Sequence, residues 1–247
     1  GTIADNTINC IFVDKQGSVW LGTNSGVNIN NPDKQQFAQQ FLQAKPNTPV
    51  TLYDFFENTN GQIWMGTSEG LYIKHPDGSL EHRPITYKDT PLHVTSFFRD
   101  ENGTYYLGTN YSVFQYDPKR HNVHLLPNTE KDVVMNRIIE SRVVSMIKTQ
   151  IDGSPVLLTS PYGHYLTYYD LQRKVWVSRL NSHNIIERFN LKDNLIRKLY
   201  KAKDGTIWMA TAKEGLGLWT HNNGSKVNYL NHQPTIPYSL ANNNVFD

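Results

Sequence analysis

The sequence predicts an all-β chain, a β-propeller built of four-stranded antiparallel blades, on three observations. A heptapeptide recurs: GSVWLGT at Gly17–Thr23, GQIWMGT at Gly61–Thr67, GTYYLGT at Gly103–Thr109, GSPVLLT at Gly153–Thr159 and GTIWMAT at Gly205–Thr211. The leading glycines lie 44, 42, 50 and 52 residues apart, the period of a unit of four short strands. Strand-favouring residues abound, with 14 Tyr, 10 Phe and 5 Trp, and no segment sustains a helical period.

Each element of the unit has a physical reason. Apolar residues precede every leading glycine at two fixed distances. Ile8, Leu52, Val94, Val144 and Ile196 stand nine before it, and Ile11, Phe55, Phe97, Ile147 and Leu199 stand six before. They mark a first strand. Asp14–Gly17, Asn58–Gly61 and Asp100–Gly103 then place an Asx first and a glycine fourth, the preference of a type I turn. A second strand carries Trp20, Trp64, Tyr106, Val156 and Trp208 and ends in small residues such as Gly22–Thr23 and Ala210–Thr211. A turn such as Asn24–Gly26, Ser68–Gly70 or Lys213–Gly215 leads to a third strand. A weaker fourth strand closes each unit near Phe37–Leu42, His82–Tyr87, Val123–Leu126, Val175–Leu180 and Val227–Leu230. The repeats run about 1–47, 48–90, 91–137, 138–190 and 191–237, and residues 238–247 begin a sixth, Leu240 matching Ile3 and Val245 matching Ile8. The whole reads as one partial propeller domain.

Composition bounds the partners. A net charge of +2 and 19% charged residues leave no footprint of a nucleic-acid binder. The single cysteine, Cys10, builds neither a disulfide framework nor a zinc site. No run of 18 apolar residues is present, so a membrane is reached only through segments outside these residues. The chain does not start with Met, and we expect it to be a segment of a longer protein.

Chemistry-bearing motifs are scarce. Trp20, Trp64 and Trp208 sit mid-strand beside small residues, a core position rather than a sugar platform. Asp14 and Asp100 keep a fixed distance to glycine and read as turn formers. His121 and His124 have odd spacing, which on a strand sends the rings to opposite faces. No metal, nucleophile or phosphate motif appears, so no cofactor and no enzyme activity of this segment is predicted. What stands out is where the repeat fails, because local rules break preferentially at functional sites. The fourth unit loses Trp and Gly-Thr, is flanked by insertions at Asn128–Arg142 and Asn181–Asp193, and has an enlarged turn at Ser160–Tyr165. Its loops and the start of the next unit supply Arg137, Arg142, Tyr162, His164, Arg188 and Arg197 as candidate ligand-binding residues. Arginine forks suit carboxylates or sulfates, and a tyrosine suits a sugar ring. The competing reading is a drifted blade with solvated loops.

The unit NTINCIFVDKQGSVWLGTNSGVNINNP resembles the two-component regulator propeller repeat: an apolar pair, Asp-x-x-Gly, apolar-Trp-apolar, Gly-Thr, then Gly-apolar. The resemblance spans the chain and is sharpest in units one, two and five. It implies an extracytoplasmic, periplasmic sensor of a hybrid two-component histidine kinase, of the kind gut Bacteroidetes use to detect glycan breakdown products. It also implies an oligosaccharide or other small ligand, a seven-bladed ring of which this is an arc, and exposed blade edges that favour self-association as a dimer. A propeller enzyme acting on polysaccharide, a lyase or hydrolase, and a protein-interaction propeller remain open as alternatives.

Overall fold

The computed structural model describes residues 3–31, 36–40, 42, 49–180, 185–220 and 226–246. Among them, five four-stranded antiparallel sheets follow one another, each with its strands in chain order. The first holds β1 (Ile8–Val13), β2 (Val19–Thr23), β3 (Gly26–Asn31) and β4 (Gln36–Gln40). The second holds β5 (Leu52–Glu57), β6 (Ile63–Thr67), β7 (Gly70–Lys74) and β8 (Leu80–Arg83), followed by a hairpin of β9 (Ile85–Tyr87) and β10 (Thr90–Leu92). The third holds β11 (Val94–Arg99), β12 (Tyr105–Thr109), β13 (Val113–Asp117) and β14 (Asn122–Leu125). Helix α1 (Val133–Ile139) precedes the fourth sheet of β15 (Val143–Ile151), β16 (Ser154–Pro161), β17 (Thr167–Asp170) and β18 (Val175–Val177). Helix α2 (Ile185–Phe189) precedes the fifth, of β19 (Ile196–Lys201), β20 (Ile207–Thr211), β21 (Leu216–Trp219) and β22 (Asn228–Leu230). Contacts divide the chain into two compact units, residues 1–110 with 114–124, and 111–113 with 125–247.

The turn columns behave as their chemistry predicts. Gly17 N–H donates to Asp14 O at 3.0 Å, and Asp14 Oδ1 accepts from Gln16 and Ser18 N–H at 3.0 and 2.8 Å. Its second oxygen does more than make a turn, since Trp20 Nε1 donates to Asp14 Oδ2 at 2.8 Å. Turn and tryptophan are thereby one unit. Trp20 and Trp64 are buried, whereas Trp208 is only half-buried, its strand neighbours Ile207 and Met209 taking the core face instead.

Every first strand carries the same irregularity against its second strand, between Ile8 and Cys10, Leu52 and Asp54, Val94 and Ser96, Val143 and Ser145, and Ile196 and Lys198. A bulge leaves backbone groups without a ladder partner. Within each unit the preceding sheet supplies one. Asn9 Nδ2 donates to Leu52 O at 3.0 Å, Asp54 Oδ2 accepts from Phe97 N–H at 3.1 Å, and Ser145 Oγ accepts from Leu199 N–H at 3.0 Å. The polar residues on these first strands thus join consecutive blades. In the first unit, Trp20 and Phe12 pack on Phe55, and Phe56 and Trp64 pack on Phe97. In the second unit, Ile147, Val156 and Leu158 meet Leu199, Ile207 and Met209, with Phe189 of α2 packed against Trp219.

Four expectations change. The predicted strand at His82–Tyr87 is two strands, because Pro84 has no N–H to continue the ladder; β8 stops before it and β9 turns back on β10. The insertions contain helices. Asp132 caps α1 by accepting from Met135 N–H at 2.8 Å, and Met135, Ile138 and Ile139 are buried; seven residues are too few to show a period. In the other insertion, residues 181–184 lie outside the described residues. The fourth sheet is out of step with the heptapeptide. Asp152 and Gly153, at φ 52° and 77°, close a two-residue hairpin of the type I′ kind. Leu158, not Val156, therefore faces Ile147 as Trp20 faces Phe12. On the second strand the displacement is two residues, so the same side chains still point inward; on the first it is one, and Met146 rather than Ile147 takes the place of Ile11. Finally, residues 231–246 form no strand; Gly215 N–H donates to Asn243 O and Val245 N–H to Thr211 O, both at 2.9 Å, which ties this segment to the fifth sheet without a ladder.

Candidate functional site

The fourth sheet has Leu158 and Ser160 where the first has Trp20 and Gly22. Ser145, Thr149, Thr159, Ser160 and Thr167 are buried in it, and Thr159 and Thr167 hydroxyls bond across the strands at 2.6 Å. Beyond Pro161 the chain turns sharply before β17. His164 N–H donates to Pro161 O at 3.1 Å, and Gly163 takes φ 76°. Tyr165 also sits at positive φ, 64°, a strained state for an aromatic residue that its surroundings must enforce. They do so through two backbone bonds. Tyr162 N–H donates to Arg142 O at 2.8 Å, and Tyr165 N–H to Asn194 O at 2.9 Å.

This turn brings Arg142, Tyr162 and His164 to one end of the fourth sheet. Tyr162 is 54% exposed. Arg142 and His164 are half-buried, and His164 Nδ1 is enclosed without a hydrogen-bond partner. Burial, and then the nearby Arg179 guanidinium, holds the His164 pKa below its ordinary value, so the ring is neutral near pH 7.

The other candidates lie elsewhere. Arg188 forks onto the Asp152 carboxylate, with Nη1 to Oδ2 at 2.9 Å, and lies 5.1 Å over the Phe189 ring. Asp152 is the hairpin tip at the opposite end of β15 and β16 from Tyr162. Arg197 is the bulge residue of β19, and its guanidinium stacks 4.2 Å from the Phe246 ring centre. Arg137 is exposed in the last turn of α1. Sequence reasoning passed over Arg179, which the predicted strand Val175–Leu180 would have contained. The strand ends at Val177 instead. Val177, the last residue of β18, pairs with Tyr168, and Arg179 follows two residues beyond it.

Among the described residues, no group of three or more His, Cys, Asp and Glu side chains could hold a metal, and no helix is long and apolar enough to cross a membrane. Two stretches, residues 2–25 and 190–213, match the two component regulator propeller family. No curated protein matches the chain in sequence. Among solved structures, the extracellular domain of the hybrid two component system BT3049 from B. thetaiotaomicron superposes with a TM-score of 0.71 at 18% identity, over 96% of this chain and 30% of that one. The chain therefore spans less than a third of that relative. Virginiamycin B lyase from Staphylococcus aureus superposes with a TM-score of 0.59 at 11% identity, over 91% of this chain and 70% of the lyase. A structure of YCF48 bound to D1 peptide does so with a TM-score of 0.58 at 13% identity, over 92% and 68%. Those two stretches carry the repeat of that family, and the chain as a whole is similar in fold to extracellular domains of two-component system proteins.

Proposed function

We propose that this chain is part of the ligand-sensing, extracytoplasmic propeller of a hybrid two-component sensor histidine kinase, that it is not itself catalytic, and that its ligand is a glycan-derived oligosaccharide. In this reading the domain lies in the periplasm, continues into a sixth blade at residues 238–247 and belongs to a larger, seven-bladed ring. The repeat matches at residues 2–25 and 190–213 and the likeness to BT3049 support the sensor class. The observation that carries the site is the strained turn of the fourth blade, where Arg142, Tyr162 and His164 gather at the one unit whose repeat has decayed. An exposed tyrosine beside polar side chains offers a ring face and hydrogen bonds, the two things a sugar uses. Signal arises if the ligand favours one conformational or associated state over another. The test is a calorimetric screen of oligosaccharides against the chain and its Tyr162→Ala variant. A bound sugar whose affinity falls about tenfold or more in the variant supports the reading; unchanged affinity counts against it.

Self-association belongs to the same proposal. Ile11 and Val13 of β1 are 53% and 58% exposed, whereas Phe55 and Leu199, at the position of Ile11 in other blades, are 7% and 3% exposed. Tyr200 of β19 is also open. Blade faces of this kind are buried against another blade elsewhere in the chain, and a second copy offers one. Sedimentation should give a concentration-dependent oligomer that Ile11→Asp disperses. A strict monomer at high concentration would sink this part of the proposal.

A further inference from the structure

We infer that the loop after the fifth sheet holds a second saccharide subsite, a cavity lined by Tyr238 that takes one uncharged hexose ring. This rests on the reading of the ligand as a saccharide. It adds a site that neither the repeat pattern nor the fourth-blade turn contains.

The loop is held stiffly. Two turns follow one another, with Ile236 N–H donating to Gln233 O at 2.9 Å and Ser239 N–H to Ile236 O at 3.1 Å. Pro234 and Pro237 take the second position of each, where a fixed φ presets the turn. The Ser239 hydroxyl closes both turns into one loop, since it donates to Gln233 O and accepts from Gln233 N–H, each at 2.9 Å. Asn231 Nδ2 anchors the start by donating to Glu214 O at 2.9 Å, and His232 Nδ1 lies 2.6 Å from Leu240 O beyond the end. Yet Tyr238, inside this closed loop, is 98% exposed. An aromatic ring on a pinned backbone loses little freedom when a ligand stacks on it.

The cavity beside it measures about 210 Å³, and Leu230, Ile236, Asn231, Gln233 and Ser239 line it with Tyr238. That is smaller than the roughly 300 Å³ at which pockets for drug-sized ligands begin, so it suits one ring rather than a chain. No charged side chain lines it. An anion would find no cation there, and a cation no carboxylate. Leu230 and Ile236 are 50% and 47% exposed, which leaves apolar surface open. The polar groups are carboxamides. Among the described residues, Asn231 keeps its Oδ1, and the exposed Gln233 its whole carboxamide, out of any hydrogen bond. A carboxamide both donates and accepts. A hexose offers the matching set: an apolar C–H face for Tyr238, and hydroxyls that donate and accept for Gln233 and Asn231. A purely apolar ligand would cover these amides without pairing them.

Hydrogen bonds tie this loop to the end of the sheets that carries the fourth-blade turn. Tyr165 N–H donates to Asn194 O at 2.9 Å, Ala212 N–H to Leu195 O at 3.1 Å and Lys213 N–H to Asp193 Oδ2 at 2.6 Å. From that fifth-blade turn, Glu214 O accepts from Asn231 and Gly215 N–H donates to Asn243 O. Both sites therefore belong to one end of the fourth and fifth sheets.

The experiment titrates the isotope-labelled chain with maltose, lactose, mannobiose and galactobiose, and with digalacturonate as the charged control, while nuclear magnetic resonance follows the side-chain carboxamide signals. Loss of a signal in Gln233→Ala assigns it. At least one neutral probe should bind and shift the Gln233 signals. Tyr238→Ala should weaken that probe about tenfold or more, and Gln233→Ala about two- to tenfold. Salt should leave the affinity unchanged. Because Tyr238 is almost wholly exposed, its truncation should not move the melting temperature, so lost binding is not lost fold. If a neutral probe binds while the Gln233 signals stay still and Tyr238→Ala keeps full affinity, the subsite is overturned. A loss in Tyr162→Ala in that same titration then keeps the saccharide reading and returns the ligand to the fourth-blade turn. Gln233 signals that move with digalacturonate alone overturn the uncharged ring. If no probe binds, the subsite and the saccharide reading fall together.

Discussion

Trp64→Ala should destabilise the chain by about 3–5 kcal/mol, the range for removing a fully enclosed large aromatic. Trp64 is 1% exposed. Its ring lies 4.8 Å from Tyr105 in a stacked pair and 5.7 Å from Tyr116 edge-on, and it meets Phe97 and Phe56 at 6.4 and 5.9 Å. Its Nε1 donates to Gln62 Oε1 at 3.3 Å, a bond that truncation also removes. The neighbours sit on four different strands of two sheets and cannot all collapse into the space. The loss is a large share of a typical domain's total stability, and the melting point should fall by on the order of 10 °C. The control is Trp208→Ala, the same heptapeptide position on a half-buried site, which should lose less than half as much. Urea unfolding followed by far-ultraviolet circular dichroism measures both. Equal losses would mean that the heptapeptide tryptophan acts through its own strand rather than through the blade it packs on.

That contrast marks what the sequence could show. Repeating columns expose the strands that face other strands in every unit, so first, second and third strands were legible from Ile8, Trp20 and their equivalents. Fourth strands lie at the sheet edge, where fewer neighbours constrain residue type, and their ends were misplaced at Pro84 and Val177. The step of two residues in the fourth blade was hidden because Asp152–Gly153 keeps the glycine and changes the turn around it. The candidate site was legible as a loss of pattern, which pointed to Arg142, Tyr162 and His164, residues that the turn sets at one end of the fourth sheet. It was not legible as geometry. Arg188 looked like a partner of these residues until α2 set it on Asp152, and Arg179 looked like strand until β18 stopped short. A repeat tells which positions are scaffold; it does not tell which way an inserted helix points its arginine.

Gly66→Ala should cost about 3 kcal/mol, at the upper end of what overpacking costs, although it adds one methyl group to a favourable strand residue. A Cβ there would stand 2.6 Å from Val94 O, and 3.0 and 3.2 Å from ring atoms of Phe97. The oxygen belongs to the backbone of β11, so relief requires the next blade to move. Gly61, the other glycine of the same heptapeptide copy, fails for a different reason. Its added Cβ would meet nothing nearer than Pro76 Cγ at 3.5 Å, but its φ of +78° is left-handed, a state that costs an L-residue roughly 1–2 kcal/mol. Gly61→Asn should therefore be tolerated better than Gly61→Ala, because asparagine visits that region more readily. Gly66→Asn should be worse than Gly66→Ala. At the register of Gly66 the fourth and fifth sheets carry Ser160 and Ala210, so the demand comes from the joint with Val94 and not from the strand. Urea midpoints of the four variants decide it. Should asparagine and alanine rank alike at both positions, the two glycines of the heptapeptide would share one role; an inverted order at 61 and 66 assigns the first to the turn and the second to the close approach of blades.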